Sequence, residues 1–341
     1  MKILLIKLSA IGDVLATTPF FRLIKEDNPE CKIHHLVMNS SIDATINNPF
    51  IDEHIVVSNL PSNNSLKDIY SLIILWIKII SGKYDMALIG HKSKKISWLC
   101  KLAGIKKIIA FSSYKSIELS ASMPYRTDIN RTIQEYELYK LSGLKIKEPT
   151  ALEFYIDLKK IKHEKFNNLP DRFITISLGG GNFHSNIHNR RLPVEKYHEI
   201  IKGINIPVIL LGQGTEDLSY AEDLIKTNTS NMINFVNKTN LNEAAYLIKK
   251  SIVFIGNDSG LLYLASAVNS FAIGIFGPTD PGLALPLGQR VRFIQSDIKC
   301  SPCYNPNDGL KGQMYACKNN ICMQSINTYQ VIQLANNIIE E

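Results

Sequence analysis

Four short segments follow apolar runs of the chain and carry the residue types from which a reaction site is built. They are Ser9–Asp13, Ser177–Asn182 with Arg190 and Arg191 shortly after it, Gly256–Gly260 and Gly277–Pro281. A carboxylate can accept a proton, glycine lets a ligand approach the backbone, and arginine binds phosphate through paired hydrogen bonds. These residue types predict a carboxylate, Asp13, in the first half of the chain and a site for a phosphorylated ligand in the second half.

The first segment resembles a nucleotide-binding turn with the wrong charge. Ile3–Ile6 predicts a buried strand, and the apolar residues of Val14–Ile24 recur at helical spacing. Such a strand, turn and helix bind phosphate in Rossmann folds, yet the three-glycine fingerprint is missing and Asp13 is negative. An aspartate at the start of a helix is also an ordinary cap. For Asp13 and Asp258 taken singly, a functional role and a helix cap both stay open. An arginine pair alone is typical of solvated surface.

Composition narrows the class of protein. The chain has 341 residues, of which 45% are apolar and 20% charged, which predicts two globular domains. The net charge of +7 favours an acidic substrate or an anionic membrane face, and without an arginine-rich arm no nucleic acid is expected. Because no signal peptide is seen and the apolar run Ser71–Ile80 is shorter than the ~20 residues that span a bilayer, we expect a cytoplasmic protein.

Strand and helix patterns alternate twice along the chain. The first series begins at Lys2 and the second at Phe173, and the polar, lysine-rich stretch Leu158–Arg172 between them is interpreted as a linker. The sequence therefore predicts two doubly wound α/β domains, residues 1–160 and 172–326, followed by a helix within residues 327–341. Ligands of such domains bind beyond the carboxyl ends of the strands.

Taken together, the four segments resemble the family 9 glycosyltransferases, which include the ADP-heptose:lipopolysaccharide heptosyltransferases. The matching stretches are KILLIKLSAIGDVLATTP, GGGN…NRRLPVEKY, FIGNDSGLLYLASA and IGIFGPTDP, in the same order and spacing. The resemblance implies a GT-B fold, in which two Rossmann-like doubly wound domains face a central cleft. The N-terminal domain would bind the acceptor, the C-terminal domain the nucleotide sugar, and the last helix would pack back on the N-terminal domain.

The activity that the resemblance implies is inverting transfer of a sugar. The donor would be ADP-heptose and the acceptor a lipid-linked acidic glycan, the lipopolysaccharide core or a related one. No cofactor would be required for catalysis. Asp13 matches the aspartate proposed as general base, and Ser9 and Gly12 match the turn around it. The candidate donor-binding residues are Gly180, Gly181, Arg190, Arg191, Glu216, Asp258, Ser259 and Gly260.

Two of these matches are inexact. Arg190 stands where many members have a lysine that binds the diphosphate, so the charge is kept and its geometry changes. Tyr263 stands where heptosyltransferases commonly have histidine, and this difference leaves the donor sugar open.

Four cysteines lie close together near the end of the chain. Cys300 and Cys303 form CSPC, and after thirteen intervening residues Cys317 and Cys322 form CKNNIC. In a cytoplasmic protein this pattern favours metal over disulfide, so a structural zinc or iron and reduced thiols are both open. An autotransporter-heptosyltransferase branch of the family carries an iron-holding cysteine cluster in a comparable region with different spacing.

Lysines are concentrated between His91 and Lys107. They are Lys92, Lys94, Lys95, Lys101, Lys106 and Lys107. They form either a solvated helix face or a contact with the acidic acceptor at the inner membrane, which would make the protein peripheral there. Trp76 and Trp98 could assist docking or pack in the core.

Alternative functions remain at this point. The chain could transfer a sugar from another nucleotide sugar, or it could be a nucleotide-sugar epimerase, since that fold also hosts 2-epimerases. An epimerase would turn over the donor without an acceptor. A non-enzymatic nucleotide-sugar-binding protein is the third alternative. Retention of Asp13, both arginines and Asp258–Gly260 argues against it.

Overall fold

Two six-stranded parallel sheets organise the chain, one in each of two units, Met1–Thr150 and Ala151–Glu341. The computed structural model describes residues 1–58, 66–114, 116–180, 189–227 and 232–341. Among these residues, no helix is both long and apolar enough to cross a membrane.

The first unit alternates strands and helices, as its pattern predicts. Its elements are β1 (Lys2–Ile6), α1 (Ile11–Asp27), β2 (Lys32–Met38), β3 (Glu53–Val57), α2 (Leu66–Gly82), β4 (Met86–Ile89), α3 (Lys94–Leu102), β5 (Lys107–Phe111), β6 (Ala121–Met123) and α4 (Arg131–Lys140). The strand order is β3-β2-β1-β4-β5-β6. The central strands β1 and β4 are continuous apolar runs because helices cover both faces of the sheet.

Each face of this sheet has its own core. On one face α1 and α4 pack together, and the Phe20 and Tyr139 rings meet edge to face with centroids 5.0 Å apart. On the other face α2 contributes Leu75 and Ile79, and α3 contributes Ile96 and Cys100. The loops that follow β1, β4 and β5 therefore lie together at the carboxyl edge of the sheet, framed by the helices of both faces.

The second unit repeats the plan. Its elements are β7 (Ile174–Ser177), α5 (Val194–Lys202), β8 (Val208–Leu211), α6 (Thr215–Thr227), β9 (Met232–Asn234), α7 (Leu241–Lys250), β10 (Phe254–Asn257), α8 (Gly260–Ala267), β11 (Ala272–Phe276), α9 (Pro281–Ala284), β12 (Val291–Gln295), α10 (Gln313–Ala316), α11 (Ile321–Gln324) and α12 (Thr328–Glu340). The strand order is β12-β11-β10-β7-β8-β9.

The division between the units differs from the sequence-based expectation. The stretch 158–172, interpreted as a linker, lies within the second unit. Phe166 is buried there, with its ring centroid 5.5 Å from that of Phe235, and Ile161 is buried as well. These apolar residues anchor a segment whose lysines suggested solvent exposure.

One face of the last helix packs in the core of the second unit. Val331, Ala335 and Ile338 are buried in the core of the second unit. The Asn336 side chain donates a 3.2 Å hydrogen bond to the carbonyl of Gly203, at the end of α5. Spacings of four and three residues place the apolar side chains of α12 on one face, and this face packs in the second unit.

Candidate active site

Asp13 lies in the first turn of α1, directly after β1 and at the carboxyl edge of the first sheet. Its Oδ1 accepts a 2.9 Å hydrogen bond from Nη1 of Arg131, and its Oδ2 accepts a 3.3 Å bond from the backbone N–H of Ala10. The second bond is a helix-capping contact, so the structural interpretation of Asp13 has an observation behind it. The side chain is nevertheless 38% exposed, which leaves it accessible to a substrate.

The charges around Asp13 keep it ionised. Burial alone would raise the pKa of Asp13, but the positive charges of Arg131 and Lys7 outweigh burial and hold the pKa below its ordinary value. The side chain is therefore a carboxylate at neutral pH. Ser9 and Gly12 flank it as expected, with Ser9 half-buried and Gly12 buried within α1.

A buried ion pair lies next to Asp13 at the carboxyl edge of the first sheet. Nζ of Lys7 pairs with Glu135 and donates a 2.8 Å hydrogen bond to the carbonyl of Gly90. Oε2 of Glu135 accepts a 2.6 Å bond from the hydroxyl of Thr17 and a 3.3 Å bond from that of Tyr139. Burial would lower the pKa of Lys7, but Glu135 and Asp13 raise it, so the lysine stays charged. The pair links β1, α1 and α4 under Asp13.

The loop after β4 adds two further groups near Asp13. Burial, with the charge of Lys7, lowers the pKa of His91 to about 4, so its imidazole is neutral at pH 7. Nζ of Lys92 lies 4.5 Å from the ring centroid of Tyr125, and burial lowers the pKa of this lysine although Asp13 opposes that shift. Asp13 is thus a carboxylate among cationic and neutral basic groups.

Arg131, Lys7 and Glu135 were missed in the sequence. Arg131 and Glu135 lie more than a hundred residues from their partners, so spacing carried no signal. One local signal existed for each partner of the buried pair. Lys7 interrupts an apolar strand run, and Glu135 shares a helical face with Leu138 and Tyr139, all three of which are buried.

In the second unit the structure brings Arg190 and Asp258 together. Nη1 of Arg190 lies 3.1 Å from Oδ2 of Asp258, and the aspartate side chain is only 4% exposed. Asp258 follows β10, Ser259 occupies the N-cap position of α8, and Gly260 is the first residue of that helix. The arginine from one loop and the Asp258–Gly260 turn therefore meet at the carboxyl edge of the second sheet.

Gly180 explains how the arginine segment approaches this edge. A Cβ added to Gly180 would lie 2.7 Å from Cα and 2.8 Å from the backbone nitrogen of Arg191. Such a contact is too short for any side chain, so glycine is required for the loop after β7 to pass against the backbone of Arg190 and Arg191. Gly181, predicted beside it, lies outside the described residues.

Arg191 is held differently from Arg190. Its side chain is buried, with Nη1 2.6 Å from Oε2 of Glu216 and Nη2 paired with Asp217. Its guanidinium carbon lies 5.2 Å from the ring centroid of Tyr220. These residues, except Asp217, line a cavity of about 410 Å³, with Asn189, Pro193, Ser219 and Asn320. The predicted Glu216 thus faces a pocket, and Arg191 is its structural partner.

Buried polar atoms without partners cluster at the same edge. They are Oγ of Ser177, Oδ1 of Asn257, Oγ of Ser259 and Oγ1 of Thr279. Each follows or ends a strand, or begins the helix after it, and has no hydrogen-bond partner within the ranges that the structure describes. Buried polar atoms are almost always hydrogen-bonded. We therefore expect a bound ligand, a water molecule or a residue outside the described ranges to bond these four atoms.

Tyr263 has a core position. It is buried in α8, and its hydroxyl donates a 2.6 Å hydrogen bond to the carbonyl of Ala284. That bond fixes the side chain between α8 and α9. The tyrosine that stands where heptosyltransferases commonly have histidine therefore has its own hydrogen-bond partner, the carbonyl of Ala284.

No disulfide joins the four C-terminal cysteines. Cys300 and Cys317 are exposed, Cys303 is half-buried and Cys322 is buried. Burial raises the pKa of the Cys322 thiol to about 11. No group of three or more His, Cys, Asp or Glu side chains among the described residues is placed to hold a metal ion. The expectation of a structural zinc or iron is unsupported.

Comparison with known proteins identifies the family. The sequence model of glycosyltransferase family 9 (heptosyltransferase) matches residues 73–313, more than half of the chain. The chain belongs to this family. Lipooligosaccharide heptosyltransferase 2 of Haemophilus influenzae is 24% identical over 320 residues, which cover 87% of this chain and 90% of that protein. Lipopolysaccharide heptosyltransferase 3 of Escherichia coli is 24% identical over 285 residues, 79% of this chain and 80% of that protein.

Solved structures of family 9 show the same fold. A family 9 glycosyl transferase from Veillonella parvula has a TM-score of 0.82 at 20% identity, covering 100% of this chain and 98% of that chain. Escherichia coli heptosyltransferase WaaC with ADP has a TM-score of 0.73 at 18% identity, covering 99% and 100%. The predicted GT-B class with two Rossmann-like domains is confirmed, and the protein is a glycosyltransferase enzyme.

Proposed function

We propose that this family 9 enzyme transfers heptose from ADP-heptose to a lipopolysaccharide core or related acidic glycan, with inversion at the anomeric carbon. The observation that carries the proposal is Asp13, an accessible carboxylate held ionised by Arg131 and Lys7 at the carboxyl edge of a Rossmann-like sheet. Relatives of this chain are named as lipopolysaccharide and lipooligosaccharide heptosyltransferases, which supports the choice of sugar and acceptor.

In the proposed reaction, Asp13 acts as the general base. An acceptor hydroxyl attacks the anomeric carbon of the donor, and its proton passes to the carboxylate as the new C–O bond forms. The bond between the anomeric carbon and the phosphate oxygen breaks, and ADP leaves with the electron pair. A lowered pKa makes Asp13 a weak base, so the proton transfers as the bond forms rather than before it.

The donor is assigned to the second unit. Arg190 carries hydrogen-bond donors and a positive charge for the diphosphate. The Ser259 hydroxyl, which has no partner among the described residues, lies at the N-terminus of α8, where backbone N–H groups favour anions. Glu216, half-exposed in its pocket, is assigned to the nucleoside, because its carboxylate can accept hydrogen bonds from the ribose hydroxyls. Gly180 and Gly181 are assigned to the diphosphate, and Gly260 to the turn that contacts the donor.

The site of action follows from the acceptor. A lipid-linked acidic glycan is made at the cytoplasmic face of the inner membrane, so we place the protein in the cytoplasm with its acceptor at that surface. The chain's net charge of +7 suits an anionic acceptor.

A thermal-shift panel of nucleotide sugars tests the substrate assignment. A donor at 100 times its Kd stabilises a protein by about 2.7 kcal/mol, so ADP-heptose should raise the melting temperature while UDP-sugars leave it unchanged. Stabilisation by another nucleotide sugar and not by ADP-heptose would overturn the donor assignment. Conversion of the donor to an epimer without an acceptor would replace transfer by epimerisation.

A further inference from the structure

Helix α2 is apolar on the side that faces solvent as well as on the side that faces the sheet. Leu75 and Ile79 are buried in the core. Tyr70, Ile73, Ile74, Ile77 and Ile80 are exposed, Ile77 to 54%. Spacings of three and four residues place these five side chains in one stripe along the helix. A surface helix of a globular protein normally carries polar residues there, so the stripe needs a partner.

Helix α3 packs beside α2 and extends this surface. Lys94, Lys95, Trp98, Lys101 and Leu102 recur at helical spacing on one face, and all five side chains are exposed. Exposed Trp98 corrects one interpretation of the sequence, in which core packing was the alternative for this residue. Lysine and tryptophan side by side are typical of surfaces that bind the lipid–water interface.

The charge of this region is strongly positive. Residues 70–107 contain eight lysines and a single acidic residue, Asp85. A second copy of the chain would bring the same lysines against this face, and like charges would oppose that contact. An anionic surface is complementary to it.

The position of the two helices relates the surface to Asp13. In a parallel sheet, a helix that follows a strand begins at the carboxyl edge, so Tyr70 of α2 and Lys94 of α3 lie toward the edge that carries Asp13. Nζ of Lys94 is 5.8 Å from the ring centroid of Tyr114, in the loop after β5, and this tyrosine is exposed as well. The apolar and basic residues thus continue up to that edge.

We propose that the exposed side chains of α2 and α3, here called the α2–α3 face, dock the first unit on an anionic phospholipid bilayer. The isoleucines and Trp98 enter the boundary between headgroups and acyl chains, and the lysines bind the lipid phosphates. Membrane docking goes beyond the transfer reaction. It rests on the proposed function in one respect, because a lipid-linked acceptor gives the enzyme a reason to bind the bilayer.

Vesicle sedimentation tests the proposal. Wild-type protein should sediment with vesicles of phosphatidylcholine and phosphatidylglycerol, bind pure phosphatidylcholine vesicles weakly, and lose binding as salt increases. Ile77→Asp should weaken partitioning at least tenfold, because an apolar side chain no longer leaves water. Leu158→Asp is the matched control, since Leu158 is 59% exposed in the second unit, and it should bind like wild type.

A charge series separates the electrostatic part. Lys101→Glu should weaken binding to phosphatidylglycerol vesicles by about 25-fold, because each lysine charge near such a surface contributes about fivefold. Lys226→Glu changes an exposed lysine of α6 in the second unit and should leave binding unchanged. Circular dichroism and the melting temperature of each variant confirm that the fold is retained.

Two results would overturn the proposal. Wild-type protein that stays in solution with phosphatidylglycerol vesicles is the first. The second is equal sedimentation by Ile77→Asp and wild type. An Ile77→Asp variant that converts a dimer to a monomer, without any vesicle binding by wild type, would assign the face to a second copy instead. Ile77→Asp should retain wild-type transferase activity on a delipidated acceptor in solution. This measurement distinguishes a failure of membrane docking from a failure of the proposed transfer reaction.

Discussion

The guanidinium of Arg190 lies within hydrogen-bond distance of Asp258, and this pairing sets what a substitution there can show. Removing the arginine leaves a buried aspartate without its positive partner, which costs stability as well as donor contacts. The donor role therefore has to be read from a comparison of variants, one that keeps the charge and one that removes it.

We predict that Arg190→Ala raises the Kd for ADP by about tenfold to a hundredfold, because a hydrogen bond to a charged group contributes ~1.5–3 kcal/mol. Arg190→Lys should retain part of the affinity, since the charge remains and the paired geometry is lost. Isothermal titration measures both. Arg292→Ala, an exposed arginine of the same unit, serves as control. Equal affinity in wild type and Arg190→Ala would remove Arg190 from the donor site.

At this scale single candidate residues could be picked out in the sequence, whereas their partners could not. Asp13 and Asp258 stood out because each follows an apolar run and precedes a helix. Arg131, the partner of Asp13, could not be found, since the contact depends on how α4 packs on α1 rather than on any local pattern. For the four C-terminal cysteines, proximity in sequence left metal and free thiols open, and the described residues form no group placed to hold a metal ion.

Among the elements, β1, α1 and α4 are joined under the candidate base by the buried pair of Lys7 and Glu135. Thr17 of α1 and Tyr139 of α4 complete the hydrogen bonds of Glu135. The pair fixes α4, which carries Arg131, against α1, which carries Asp13. Its integrity is thus a condition for the geometry of the site.

Glu135→Ala should lower the free energy of unfolding of the first unit by about 3–5 kcal/mol, because it leaves the charge of Lys7 buried and unpaired. The double variant Lys7→Met/Glu135→Leu should recover most of that loss, since neither charge then remains. Urea unfolding measures both. Glu137→Ala, on the same helix and in an exposed pair with Lys140, should leave stability unchanged. A Glu135→Ala variant as stable as wild type would show that the pair does not hold these elements.

Most elements could be predicted from hydrophobic periodicity, and the exceptions have physical reasons. The edge strand β6 is three half-buried residues with no apolar run, so it carried no pattern. The 3-10 helix Asn39–Ala44 has six residues, too few to show an apolar helical period. The lysine-rich stretch before β7 looked like a linker because its composition hid the buried Ile161 and Phe166.

At the scale of the whole molecule, we expect acidic pH to lower the stability of the first unit. Burial lowers the pKa of His35 to about 3, and it also lowers the pKa values of His34, His54 and His91, all in that unit. A histidine that is neutral when folded gains a proton on unfolding below pH 6.5, its ordinary pKa. Stability from these groups is therefore complete above pH 6.5 and declines as the pH falls toward their folded pKa values.

For His35, a folded-state pKa of about 3 should lower the free energy of unfolding at pH 5 by about 2 kcal/mol. Calorimetry at pH 7 and pH 5 should show a drop in the unfolding transition of the first unit. His35→Gln should reduce that drop, whatever its effect at pH 7, because the glutamine does not titrate. A variant with an undiminished pH dependence between 7 and 5 would contradict the assignment to His35.

The two units divide the proposed reaction, with the base in one and the donor contacts in the other. That division predicts that variants of the two sites affect different constants. A general base contributes about 10²–10⁴-fold to the rate, whereas a base takes no part in holding the donor. The amide oxygen of asparagine can accept the bond from the backbone N–H of Ala10, so Asp13→Asn retains the capping contact and removes the basic oxygen.

The most direct test is therefore kcat and donor Kd of Asp13→Asn with ADP-heptose and a lipopolysaccharide core acceptor that lacks the heptose. Asp27→Asn, at the other end of α1, is the control. The proposed function predicts that kcat falls at least about a hundredfold while the donor Kd stays near that of wild type. A near-normal kcat in Asp13→Asn would reduce Asp13 to a helix cap and contradict its role as the base.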